Sequence, residues 1–272
     1  MTSDAAPRQE GIRTNIWQEE PEPDNPFAAA VCRCRGYDVY GELLHKAGFV
    51  EYLYLLFAGE RPAPTQARLL ERLAIALANP GPREASVHAA MCAGVGGSPA
   101  AAALMAALGV GAGNLGGGHE VRLAMEAWER FGCDLAAWQP FLTNPPPAER
   151  ADIWTPMEHA PGFDPHGTRC ATPVRQTLTT LAEIGAGPHL PWLAQHRLTL
   201  EAAAGAPLTM SGVAAAACRD LGLGAEHGEM LYLLLRLPGA AVHALEQKQF
   251  GFRRFPFFHG AVKYVGPDAD TA

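Results

Sequence analysis

The chain has 272 residues, 48% hydrophobic and 18% charged, with a formal net charge of −7. That length fits one large domain or two unequal ones around a sizeable core. An acidic balance with no run of Lys or Arg argues against nucleic acid as a main partner, and no stretch of ~18 uncharged apolar residues offers a membrane span.

Residues 1–30 are polar and Pro-rich, with PEPDNP at 21–26, and read as an extended N-terminal arm. From 41 to 131 helix follows helix. GELLHKAGFVEYLYLLFAGE closes on Gly59, a good helix stop. PTQARLLERLAIALANPG opens beside Thr65 as a candidate cap and ends at Asn79-Pro80-Gly81. SVHAAMCAGVGG is short and small-residued. SPAAAALMAALGVGAG, from Ser98, is nearly all Ala, Leu and Met, and a helix with no polar face is expected to be buried.

GAGNLGGGHE at 111–120 is half glycine. It is either a plain connector or a place of close backbone approach to a ligand. His119 and Glu120 are either a helix start, where the dipole favours Glu, or chemistry. The next helix puts Val121, Ala124, Met125, Trp128 and Phe131 on one stripe. Residues 141–150 and 154–169 break the pattern with Pro and Gly turns. TPVRQTLTTLAEIGAG reads as a helix with Pro near its start. Further helices fit 191–204, 211–222, 226–236 and 238–248, the last with Pro238 in its first turn. No period-2 run reads as a central strand and no repeat is visible, so the class is all-α.

Cysteines are scattered except Cys32 and Cys34. One C-x-C pair without a second at ligand spacing is a weak zinc signal, so free thiols and no metal are expected. An N-terminus without an apolar signal-type core adds the expectation of a cytoplasmic protein.

Several segments, in order, resemble the citrate synthase superfamily: RGYD at 35–38, YLLFAGERPAP at 54–64, PGF at 161–163, LPGAAVHALEQK at 237–248 and YVGP at 264–267. The length is similar to the compact citryl-CoA lyase-like branch, which includes the lyase module of ATP-citrate lyase. The resemblance spans roughly 31–267. It implies a large helical domain from 31–119 and 211–272 with a smaller one inserted at 120–210, a homodimer, and a site for a coenzyme A thioester and a di- or tricarboxylate. It also implies a Claisen-type step, in which a carboxylate takes the α-proton and histidines polarise the carbonyls.

The residues that do this in the family are not in register here. Aligned on Glu120, the histidine of H-G-G-A-N-E becomes Leu115, with His119 later in the loop. The D-H-G segment is Asn79-Pro80-Gly81, with His88 beyond it. The histidine of P-G-F-G-H becomes Pro165, with His166 next along. The aspartate base of N-V-D-G becomes Ser211.

The resemblance therefore implies a binding set of Gly116, Gly117, Gly118, Gly162, Phe163 and Arg169 toward CoA. Arg35, His88, Arg253 and Arg254 fall to the carboxylate substrate, since Arg holds such groups by bidentate bonds. His119, Asp164 and His166 are the candidate catalytic groups, though Asp-Pro-His is also an ordinary turn. Two functions stand: an enzyme of altered active-site chemistry that makes or breaks a carbon–carbon bond, or an inactive relative that binds CoA or carboxylates or serves as a partner subunit.

Overall fold

The computed structural model describes residues 11–145 and 159–254. The first ten residues of the expected arm, most of the break between the 141–150 and PGF segments, and YVGP lie outside the described residues. By compactness the chain divides between Ala67 and Arg68 into two units.

The first unit opens with an antiparallel sheet of β1 (Trp17–Glu22), β2 (Asn25–Cys34) and β3 (Tyr37–Asp38). The sequence shows no alternation here, and the reason is burial: nearly every residue of β1 and the first half of β2 is exposed, so neither face needs to be apolar. Pro21 sits at an irregularity in the β1–β2 register, where a strand tolerates it. A π-type turn (Val39–Leu43), capped by Asp38, runs into α1 (Leu44–Lys46). Then α2 (Phe49–Ala58) ends, as expected, on Gly59 in the left-handed region at φ 82°. Helix α3 (Pro64–Leu77) starts before the division, and its buried Leu69, Leu70, Leu73 and Leu77, at helical spacing, belong to the second unit.

The second unit is helical: α4 (Ala85–Val95), α5 (Ala100–Gly111), α6 (Gly118–Phe131), α7 (Leu135–Thr143), α8 (Thr172–Ala182), α9 (His189–Ala204), α10 (Met210–Asp220) and α11 (Ala225–Phe250). Helix α10 is buried along almost its whole length and packs on α6 and α9. Small residues set the spacing of α4, α5 and α11, whose shared core is Val87, Ala90, Ala103, Ala107, Ala240 and Ala244. A Cβ on Gly94 would lie 2.2 Å from the Ala244 carbonyl oxygen, so α4 and α11 touch backbone to backbone. Trp128, Trp138 and Trp192 join α6, α7 and α9 edge to face.

Three expectations need correcting. The apolar helix α5 is not buried all round: Ala103, Ala107 and Gly111 face the core, while Met105 (64% exposed) and Val110 (48%) do not. Residues 226–236 and 238–248 are one helix, with Pro238 in its interior. Helix α7 is absent from the sequence reading because Pro140 interrupts its pattern; Asp134 caps it by accepting from the Ala136 and Ala137 N–H groups. The helical class stands, with a small sheet added.

Candidate functional site

The glycine-rich stretch links α5 to α6, and its glycines have reasons within the chain. Gly116 has φ 66°, a region that disfavours side chains. Gly117 caps α6, and a Cβ there would sit 2.2 Å from the Gly113 carbonyl oxygen. Gly118 packs on Leu233, 3.0 Å from where its Cβ would be.

A single carboxylate organises the surrounding segments. Glu120, in the first turn of α6, is 1% exposed. Its Oε2 accepts from the Gly116 N–H at 2.5 Å, and its Oε1 from the Gly162 N–H at 2.8 Å. It therefore bonds the glycine loop to the PGF turn across the long sequence gap between them.

The Gly116 carbonyl is held from the other side by α11: the Tyr232 hydroxyl donates at 2.8 Å and Arg236 Nη1 at 2.9 Å. Arg236 Nη2 lies 2.5 Å from Glu84 Oε1, and the other oxygen of Glu84 accepts from Ser86 and from the Val87 N–H, capping α4. Burial alone would raise the Glu84 pKa; the Ser86 hydroxyl, Arg236 and the Val87 N–H outweigh it and hold the group below the ordinary carboxylate range. Burial pushes Tyr232 up to about 12, against Arg236, with Glu120 and Glu84 adding to the rise. It stays a neutral donor.

The PGF turn docks on the start of α10. Gly162 has φ 89°, and a Cβ there would meet Gly212 Cα at 2.8 Å. Its carbonyl accepts from the Thr209 N–H at 2.9 Å and the Thr209 hydroxyl at 2.8 Å. That hydroxyl is 2.6 Å from the Ser211 hydroxyl, which is buried. Phe163, 4% exposed, bridges to Leu208, and the Asp164 N–H donates to Pro207 at 2.9 Å. Thus LGGGHE, PGF and TMSG, far apart in sequence, meet around Glu120, Gly162 and Thr209.

The candidate catalytic groups flank this junction. His119 is half-buried in the first turn of α6, its N–H on the Ala112 carbonyl at 3.3 Å. Asp164 Oδ1 accepts from the His166 N–H at 2.9 Å, so the two belong to one turn, with the His166 ring exposed and Arg169 exposed beyond it. His88 is exposed on α4, and Arg253 and Arg254 are exposed on the short turn Phe252–Arg254 after α11; the hydrogen bonds that build the junction do not involve them. Arg35 lies in the first unit at φ 49°, its guanidinium donating to Asn15 at 3.0 Å and to the Leu56 carbonyl at 3.4 Å, and stacked near Gly59. Asn79, next to Pro80 at the position of the D-H-G histidine, is 3.2 Å from the His243 ring, so NPG and AVHALEQK also meet.

Sequence reasoning missed Glu84, His159, Tyr232 and Arg236. Only Arg236, a charge on the apolar run of α11, leaves a signal. Among the described residues no group of three or more His, Cys, Asp or Glu is placed to hold a metal ion, and no helix is long and apolar enough to cross a membrane. The cysteines form no disulfide.

No protein-family model matches the sequence, and no curated protein matches it. Solved structures do. Citryl-CoA lyase from Hydrogenobacter thermophilus superposes with a TM-score of 0.71 at 18% identity, over 94% of each chain. ATP citrate lyase from Methanothrix soehngenii, in complex with citrate and coenzyme A, also gives 0.71 at 18% identity, over 96% of this chain and 42% of its own. Citrate synthase from Thermoplasma acidophilum, in a ternary complex with carboxymethyl coenzyme A and oxaloacetate, gives 0.60 at 16% identity, over 82% of this chain and 58% of its own. The chain has the citrate synthase-like fold, in the compact form of citryl-CoA lyase.

Proposed function

We propose that the chain binds an acyl-CoA and a di- or tricarboxylate and makes or breaks a carbon–carbon bond with groups other than the usual ones of its fold. One observation carries this: Glu120 bonds the glycine loop to the PGF turn, and the turn is bonded to the start of α10. These are the segments that the resemblance assigns to ligand and catalysis. The structural neighbours include complexes with coenzyme A and citrate, which supports the ligand class.

In this reading Arg169 meets the CoA phosphates, with Gly116 to Gly118, Gly162 and Phe163 shaping that side. Arg35, His88, Arg253 and Arg254 serve the carboxylates. Asp164 takes the α-proton, while His166 and His119 donate toward the thioester and keto oxygens. The domain partition at 120 and 210 and the cytoplasmic setting belong to the same reading. So does the homodimer, which gains support from apolar side chains exposed on α5 (Met105, Val110) and α11 (Met230, Leu234).

The test is cleavage of citryl-CoA, or its formation from acetyl-CoA and oxaloacetate, in wild type, His166→Ala and Asp164→Asn. Each change is expected to lower turnover by roughly 10²–10⁴-fold; unchanged turnover refutes the roles.

A second reading, binding without turnover, is favoured by Ser211. It occupies the base position, and its buried hydroxyl is committed to Thr209. Calorimetric binding of CoA thioesters with no product under any condition selects it.

A further inference from the structure

Among the described residues, no cation is hydrogen-bonded to the buried carboxylate of Glu120. Its partners are two backbone N–H groups. Arg236, beside the same loop, is committed to the Gly116 carbonyl and to Glu84. Among the described residues one group is placed to supply positive charge: His159, just before the PGF turn. Its side chain is 10% exposed, and its Nε2 lies 3.6 Å from Glu120 Oε1. That nitrogen is buried and makes no hydrogen bond.

Both halves of this arrangement are costly as they stand. A buried carboxylate lacks a counter-charge, and a buried ring nitrogen lacks a partner. At 3.6 Å the two are not hydrogen-bonded. A charge-assisted N–H···O bond forms at about 2.7–2.9 Å, so under about 1 Å of closure satisfies both groups at once. That closure needs a proton on Nε2; an imidazolium carries one on both ring nitrogens, so charging the ring supplies it and strengthens the bond.

We propose that His159 is a proton-operated latch. As an imidazolium it closes on Glu120 and holds the PGF turn against the glycine loop; as a neutral ring with its proton on Nδ1 it leaves that junction to the Gly162 N–H. Imidazole is the side chain that can carry this charge in one protonation state and lose it in the other.

The other groups facing the junction are accounted for. From α11, Tyr232 remains a neutral donor to Gly116 and Arg236 is paired with Glu84 of the α4 cap. From α10, Thr209 and Ser211 present hydroxyls that do not titrate there. His119 precedes Glu120 on α6 and serves as the control. His159 is a positioning residue: it acts through Glu120 on the two segments. The effect on ligand affinity rests on the proposed acyl-CoA function; the latch itself does not.

The experiment is hydrogen exchange at the Gly116 and Gly162 amides of the full chain without ligand, corrected for intrinsic rates, at about pH 8 and about pH 5.5. Protection of Gly162 is expected to rise roughly tenfold on acidification, the effect of one charge-assisted bond. The rise should vanish in His159→Gln, which cannot charge, and persist in His119→Asn. An equal rise in His159→Gln, or none in wild type, overturns the proposal. Glu120→Gln should also abolish it; should that variant not fold, His159→Gln against His159→Phe decides. Coenzyme A titrated at both pH values should bind more tightly to wild type in acid. If it binds at neither, the acyl-CoA reading fails while the exchange result still judges the latch.

Discussion

At the scale of single residues, the junction is built from polar groups whose charge is tied to its neighbours. Glu84 is the clearest case: its folded pKa lies below the ordinary range because Ser86, Arg236 and Val87 N–H overcome its burial. As pH falls, the unfolded chain takes up this proton first, so the stability contributed by Glu84 is complete above the ordinary carboxylate pKa. It shrinks below that value and is gone once the folded group is also protonated. Urea unfolding from about pH 7 to about pH 3 should show wild type losing more stability than Glu84→Gln. Parallel curves would contradict this.

These residues also mark the limit of what the sequence reveals. Glu120 reads as a helix start, which it is, since its carboxylate serves the first turn of α6. Its second bond, to Gly162, is non-local and leaves no spacing to read. His159 escapes sequence reading for the same reason. The loop glycines suggest ligand contacts, yet Gly117 is already required by the Gly113 carbonyl, and Gly118 is closely packed on the Leu233 side chain.

At the scale of elements, α11 is the most informative. Pro238 removes a donor inside the helix, and the next N–H, from Gly239, goes to the Ala78 carbonyl at 2.7 Å rather than up its own ladder. A Cβ on Gly239 would lie 2.5 Å from that oxygen. Gly239→Ala is therefore expected to cost about 1–3 kcal/mol in urea unfolding, from overpacking against backbone. Pro238 is exposed, and Ala is a far better helix former, so Pro238→Ala should cost nothing or stabilise. A harmless Gly239→Ala would remove this account of the contact.

A helix stop such as Gly59 is legible because a backbone need names its residue. The β1–β2 ribbon is not, because exposure on both faces erases the alternation that sequence reading relies on.

At the scale of the molecule, the helical class and the likeness to citrate synthase are legible from ordered short segments, and the superpositions carry the same fold at low identity. What the segments do not disclose is apolar surface. Helix α5 has no polar face, yet Met105 and Val110 stand exposed on it. A second copy of the chain covering that face is the proposed reason. Sedimentation should then give twice the chain mass for wild type and the monomer mass for Met105→Glu; a monomeric wild type would discard the homodimer.

The Gly239–Ala78 bond also constrains movement. Sliding α11 along its axis would break it. The Ala78 carbonyl, one residue past α3, thus pins α11 along its axis. Tyr232 and Arg236 lie within two turns before that point, so the same pin sets the height along α11 at which the Gly116 carbonyl is held.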